Sequence, residues 1–190
     1  MLNIERTGPW ATLRLDRPDV GNALNGEVIT KLHDALTSLR QDPEVRGLVL
    51  TGTGKVFSAG ADLSWMQKMK QATPAENLRD AEATGALFEA LSSFPRPVIA
   101  LVNGPARGGG VGLVAACDFA VASTTAHFAF TEVRLGIIPA VISPFVLRKL
   151  GESRARRLFL TGETFSAEQA LNWGLLDRVL SVGRISRPLG

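Results

Sequence analysis

Two short apolar runs constrain this chain most. Gly47-Leu48-Val49-Leu50-Thr51-Gly52 sits between glycines, and Val98-Ile99-Ala100-Leu101-Val102 follows Pro95-Arg96-Pro97. Neither alternates with polar residues, which is the pattern of a strand buried on both faces. A sheet covered on both faces needs helices between its strands. From Glu27 to Arg40, Val28, Ile29, Leu32, Ala35, Leu36 and Leu39 recur at helical spacing, and Asp42-Pro43 ends the pattern. Thr73-Pro74-Ala75-Glu76 is a helix start, with Thr73 as N-cap, Pro74 in the first turn and Glu76 closing a capping box. Leu78, Ala81, Leu87 and Leu91 are expected on its buried side.

The remaining elements follow the same logic. Trp10–Leu15 alternates and reads as a strand, and Asp16–Asn22 is a loop by its turn residues. A small-residue helix follows the glycine run Gly108-Gly109-Gly110 and ends at Cys117. Residues 118–122 and 127–130 are expected strands. Helices are expected from Ser143-Pro144 through Leu150 and over Glu152–Leu160. Another starts at the capping box Ser166-Ala167-Glu168-Gln169 and ends at Gly174, and a last strand is expected within 175–180. The fold class is therefore α/β with buried parallel strands.

A chain of 190 residues is one domain by length and can bury a proper core. The expected organisation is one core over 1–182 and an irregular basic tail over 183–190. With 45% hydrophobic and 21% charged residues, disorder is excluded. No apolar run reaches the roughly 18 residues that a membrane span requires, so no membrane association is expected. The start Met1-Leu2-Asn3-Ile4-Glu5-Arg6 has no secretory pattern, and Cys117 is the single cysteine, so a cytoplasmic setting is expected. The net charge of +3 is uneven: residues 131–190 hold nine Lys/Arg against five Asp/Glu. That excess suits either an anionic ligand or a solvated helix face. There is no Tyr, no zinc-finger spacing and no aromatic-basic alternation, so no nucleic-acid partner is expected.

Chemistry concentrates at two glycine-rich segments that each follow an apolar strand: Phe57-Ser58-Ala59-Gly60-Ala61-Asp62-Leu63 and Asn103-Gly104-Pro105-Ala106-Arg107-Gly108-Gly109-Gly110. Ligands of open α/β sheets collect at strand C-termini, where helix starts present unpaired N–H groups. Two such groups converging on one carbonyl oxygen would stabilise an enolate; tight turns and close packing would use the same glycines. The second segment is no Walker loop, since no Gly-Lys-Ser/Thr follows, and it lacks the dinucleotide fingerprint. Glu132 supplies a carboxylate; an exposed pair with Arg134 is its other reading. His33 falls on a polar helix side, His127 has no evident partner, and Cys117 is a packed core residue.

As an ordered series these motifs are specific. Arg17-Pro18 with Asn22-Ala23-Leu24, Phe57–Leu63, Asn103-Gly104 with Gly108-Gly109-Gly110, Cys117-Asp118, Glu132 with Gly136 and Pro139, and Ala170 with Gly174-Leu175 resemble the crotonase (enoyl-CoA hydratase/isomerase) superfamily over residues 1 to about 182. Ser64-Trp65-Met66 and Thr131–Pro144 resemble its bacterial methylglutaconyl-CoA hydratase-type members most.

The resemblance implies a spiral of β-β-α turns and a trimer or dimer of trimers. It implies an acyl-CoA thioester substrate with its adenine near Ala59 and Ala61, and oxyanion donors at the backbone N–H groups of Ala61 and Gly109. It gives Glu132 the role of general acid/base. Asp62, Leu63, Gly108 and Arg134 are expected around the substrate. Arg107 and Arg134 are candidates for pairing with a substrate carboxylate or phosphate, and solvent-facing or interface placement is the other reading of Arg107. Gly112 stands where many simple hydratases of the superfamily carry a second glutamate. One remaining carboxylate leans toward Δ3-Δ2 isomerisation, while the neighbouring motifs lean toward hydration; the glycine is also expected to make room for a branched or carboxylated acyl group. Neither a metal nor a redox cofactor is needed, because the thioester itself delocalises charge. Members normally continue into further C-terminal helices, so a short form that only binds acyl-CoA or partners is a third possibility.

Overall fold

A computed structural model describes residues 1–181. The tail expected over 183–190 lies outside the described residues. Six strands form the main sheet in the order β1-β2-β3-β4-β6-β9: β1 Leu2–Thr7, β2 Trp10–Leu15, β3 Gly47–Gly52, β4 Val98–Val102, β6 Phe119–Ser123 and β9 Arg178–Leu180. Only β1 and β2 pair antiparallel; the other four ladders are parallel. A second sheet joins β5 Ala106–Arg107, β7 His127–Ala129 and β8 Thr164–Ser166 in the order β5-β7-β8.

Both apolar runs become central strands, and β3 is buried along its whole length. The stripe of α1, Gly26–Gln41, is buried at all six expected positions, and Asn25 caps the helix by accepting the Val28 N–H at 2.9 Å. The helix over Gly109–Ala116, labelled α4 because α2 (Leu63–Met69) and α3 (Pro74–Ser92) precede it, is buried on every side after its first residue. A helix with no polar face must lie at the centre of the core. Both capping boxes form, at Thr73–Glu76 and Ser166–Gln169. The remaining helices of the described residues are α5 Ser143–Leu150, α6 Glu152–Thr161 and α7 Ala167–Asn172.

Three expectations change. Leu87 and Leu91 of α3 are buried, but Leu78 is 60% exposed and Ala81 lines a cavity. Only the last turns of α3 enter the core, so its first turns keep an uncovered apolar side. The expected strand at 127–130 stops at Ala129, and the one within 175–180 shortens to Arg178–Leu180, since Leu175 and Leu176 are buried outside the ladder. Strand β1, largely exposed, and the short helix α2 have no clear periodicity in the sequence.

Candidate active site

The two glycine-rich segments are stitched together by backbone bonds. Phe57 N–H donates to Pro105 O at 3.0 Å and Arg107 N–H to Ser58 O at 2.9 Å, while Gly108 N–H ties the second segment to β7 through Ala129 O at 2.9 Å. Close approach depends on Gly60: it adopts φ +86°, and a Cβ there would stand 2.6 Å from Arg107 O. On its other side the first segment forms a parallel bridge, with Leu24 N–H donating to Gly60 O and Asp62 N–H to Leu24 O. That bridge uses the Gly60 carbonyl and the Asp62 N–H on either side of Ala61 and leaves the Ala61 N–H without a partner among the described residues. Gly109 is the first residue of α4, so its N–H has no carbonyl one turn earlier and is also unpaired among the described residues.

Two cavities meet at this point. One of about 560 Å³ runs past Ala59, Asp62, Leu63, Arg107, Gly108 and Arg134. A strongly apolar one of about 460 Å³ lies between α1, α3 and the segment Ile137–Ile142. Ala61, Gly109 and Glu132 line both. An acceptor oxygen at the junction would meet two unpaired donors and one carboxyl, which is the arrangement that stabilises an oxyanion and moves a proton beside it.

Glu132 opens a one-turn 3-10 helix, Glu132–Leu135, that Gly136 ends in the left-handed region. Its Oε2 is buried without a hydrogen-bond partner among the described residues. Burial pushes its carboxyl above the usual carboxylate range, offset only in part by its own backbone N–H. The expected alternative, a Glu132–Arg134 pair, does not form: the Arg134 guanidinium donates to Gly162 O at 2.9 Å. Gly108, at φ +48° and ψ −119°, lets α4 start against this carboxyl, since a Cβ there would lie 3.0 Å from Oε1.

Asp62 lines the first cavity and also holds its own segment in place. It caps α2 by accepting the Ser64 and Trp65 N–H groups, and it pairs with Arg17 at 2.9 Å. Burial acts to raise its pKa, but the Arg17 bond and the capping N–H groups outweigh this and hold it below the usual range. Arg17 also donates to Ala23 O at 2.7 Å, so one guanidinium ties together the two sides of the Leu24–Ala61 bridge.

Gly112 corrects the expectation. It faces neither cavity and makes no room for an acyl group. A Cβ on Gly112 would collide with Ile142 Cγ2, stand 2.8 Å from Ile142 Cβ and 3.0 Å from Phe88 Cε1. Ile142 and Phe88 fill that space and form the wall of the apolar cavity. Ile142 and the polar group Lys70, Asn77 and Asp80 are cavity residues that sequence reasoning missed. Only the helical spacing of Asn77, Asp80, Ala81, Thr84 and Phe88 on α3 hinted at a shared face. His127 is exposed and bonds Thr125 O; Cys117 is buried, with burial raising its thiol pKa. Among the described residues no cluster of His, Cys, Asp and Glu could hold a metal ion, and no helix is long and apolar enough to cross a membrane.

The family profile described as enoyl-CoA hydratase/isomerase matches residues 6–187. The chain belongs to the enoyl-CoA hydratase/isomerase family. It is 37% identical over 180 residues to the crotonyl-CoA hydratase of Syntrophomonas wolfei, covering 93% of this chain and 68% of that protein. It is 36% identical over 201 residues to a 4-chlorobenzoyl coenzyme A dehalogenase of Arthrobacter, covering 99% and 71%. The crystal structure of an enoyl-CoA hydratase from Shewanella pealeana superposes with a TM-score of 0.94 at 39% identity, covering 98% of this chain and 71% of that one. The α/β fold is thus the crotonase fold, and the chain is an enzyme of the hydratase/isomerase family.

Proposed function

We propose that this enzyme adds water to a 2-enoyl-CoA thioester. The observation that carries the reading is the convergence of two unpaired N–H groups, Ala61 and Gly109, with the desolvated Glu132 carboxyl at one cavity junction. The thioester oxygen would accept from both N–H groups, which makes the β-carbon electrophilic. Ionised Glu132 would take a proton from water as its oxygen bonds to the β-carbon, and the π electrons of the double bond would move into the enolate. The protonated Glu132 would then give its proton to the α-carbon and collapse the enolate back to the thioester. A carboxyl with a raised pKa suits both steps near neutral pH. Each oxyanion donor of this kind is worth on the order of 3 kcal/mol in the transition state. No metal or redox group is required by this sequence of steps.

For the acyl group we favour a methylglutaconyl-type thioester, on the resemblance of Ser64-Trp65-Met66 and Thr131–Pro144. One observation favours a second reading, Δ3-Δ2 isomerisation: Ile142 over Gly112 leaves Glu132 as the single carboxyl at the junction, and one carboxyl suffices to move a proton between α- and γ-carbons. We also propose a trimeric or hexameric assembly, as the family resemblance implies, and a cytoplasmic setting, on the single cysteine.

Turnover of methylglutaconyl-CoA, crotonyl-CoA and a 3-enoyl-CoA by the wild type and Glu132→Gln is the test. Hydration of either 2-enoyl thioester, lost in Glu132→Gln, supports the first reading. Isomerisation of the 3-enoyl thioester alone supports the second. Binding without any turnover would replace both with a non-catalytic acyl-CoA-binding role.

A further inference from the structure

The two unpaired donors of the junction are oriented independently of each other. A trans peptide group is planar, so its C=O and the N–H of the next residue point in opposite directions. The Gly60 carbonyl accepts the Leu24 N–H at 2.7 Å, which turns the Ala61 N–H away from Leu24. The Gly108 carbonyl accepts the Gly112 N–H at 3.1 Å along α4, which turns the Gly109 N–H off the start of that helix. Neither bond fixes how far apart the two donors lie. Their separation depends on what stands between the two segments.

Ser58 stands there. It is fully buried and lines neither cavity. Its hydroxyl donates to Asn22 O at 3.0 Å and accepts the Gly60 N–H at 3.3 Å. The backbone bond between Ser58 O and the Arg107 N–H holds the residue against the second segment. The first turn of α4 rests on its side chain: a Cβ on Gly110 would stand 2.9 Å from Ser58 Cβ and 3.1 Å from Ser58 Oγ. The contacts at Gly60 and Gly110 are each one residue from a donor, Ala61 on one side and Gly109 on the other. A buried hydroxyl costs free energy unless it is bonded, and this one uses its proton and a lone pair to hold the turn before Ala61.

We propose that Ser58 is a positioning residue of the oxyanion site: it touches no substrate, and it sets the separation of the Ala61 and Gly109 N–H groups. The inference rests on the acyl-CoA reading of the junction but not on the reaction that follows. A densely packed interior passes a change at Ser58 on to both neighbours. Ser58→Ala releases the Gly60 N–H and loosens the turn before Ala61. Ser58→Cys puts a larger atom against Gly110 and pushes α4 away. Either change spoils the fit of two donors to one oxygen.

The experiment reads the thioester carbonyl directly. Butanoyl-CoA is saturated and unreactive, and with an isotope label at the thioester carbonyl its stretch can be isolated in infrared difference spectra. The stretch falls as the oxygen accepts hydrogen bonds. Spectra are taken at saturation for wild type, Ser58→Ala, Ser58→Cys and Ser123→Ala. Ser123 of β6 is also fully buried, with its hydroxyl bonded to Thr125, so its variant reproduces the loss of a buried serine away from the junction. The wild-type stretch is expected below that of the thioester in water. Both Ser58 variants should move it back toward the value in water, and Ser123→Ala should not. With crotonyl-CoA, the Ser58 variants should lose about ten-fold in kcat with KM nearly unchanged, part of the roughly hundred-fold that a 1 Å misplacement can cost. Peak position at saturation depends on neither affinity nor the folded fraction, so a general loss of stability does not imitate the effect. A wild-type stretch retained in both Ser58 variants overturns the proposal, as does an equal shift in Ser123→Ala. No lowering in the wild type would overturn the donor pair itself, and this proposal with it. A stretch that falls on binding and recovers in Ser58→Ala, in a protein that turns over no enoyl thioester, would sink the hydratase reading and leave this one standing.

Discussion

Ile142 occupies the volume above Gly112. A Cβ at residue 112 would meet Ile142 and Phe88 inside van der Waals distance, so the glycine and the isoleucine are one packing unit split between α4 and the turn before α5. Gly112→Ala should therefore destabilise the fold by about 1–3 kcal/mol, the usual cost of overpacking a dense core. Ile142→Ala removes the obstruction but leaves a void, at about 2–5 kcal/mol. The double variant should lose less than the sum of the two, because the new methyl partly fills the void. Urea denaturation of all four proteins measures this coupling; strict additivity would mean that the two side chains do not compete for space.

Glu132→Gln should reduce turnover by about 100- to 10,000-fold, the range for losing a general acid/base. It should also change stability in a pH-dependent way. The folded pKa of Glu132 lies above its ordinary value of 4.5. Below that value the folded protein holds the proton at no cost; as pH rises through the folded pKa the buried carboxylate forms and stability is lost. The glutamine variant is never charged, so its melting temperature should exceed the wild type's at pH 8 by more than at pH 4. Equal differences at both values would contradict the burial argument.

Gly108→Ala places a Cβ 3.0 Å from Glu132 Oε1 on a backbone with φ +48° and ψ −119°. The backbone strain alone is about 1–3 kcal/mol. Displacement of the carboxyl should lower kcat more than it raises KM, since the proton-transfer geometry is disturbed directly. Steady-state kinetics at 25 °C separates the two; a change confined to KM would show that the carboxyl does not depend on residue 108.

Arg17→Met removes both the Asp62 pair and the bond to Ala23 O. Loss of charge-assisted hydrogen bonds at a part-buried site should cost about 1.5–3 kcal/mol at pH 7. Asp62 has a folded pKa below its ordinary 3.8, so the pair contributes above that value and fades as pH falls through the folded pKa. The gap in stability between variant and wild type should therefore narrow in strong acid. Denaturation at pH 7 and near pH 2.5 tests the sign.

Much of the fold is legible in local pattern. The stripe in α1, the two capping boxes and the apolar runs of β3 and β4 each specify an element with signals contained in a few turns of chain. The site was legible in part. The two glycine-rich segments stand out because loops after buried strands are where backbone donors go unpaired, whereas the choice of Ala61 and Gly109 and the role of Glu132 came from the family resemblance. Strand β1 and helix α2 were not legible, since β1 is mostly exposed and α2 buries no residue, so neither leaves a strong apolar period.

By itself the sequence determined most of the elements, their α/β order and the family, because periodicity, caps and motif order are properties of neighbouring residues. Tertiary structure alone decided three things: that the Glu132 carboxyl is left buried and unpaired while Arg134 turns to Gly162, that Ile142 fills the space over Gly112, and that Lys70 lines the apolar cavity. Each depends on contacts between segments far apart in the chain, whose competition for space and hydrogen-bond partners is settled only when the core closes.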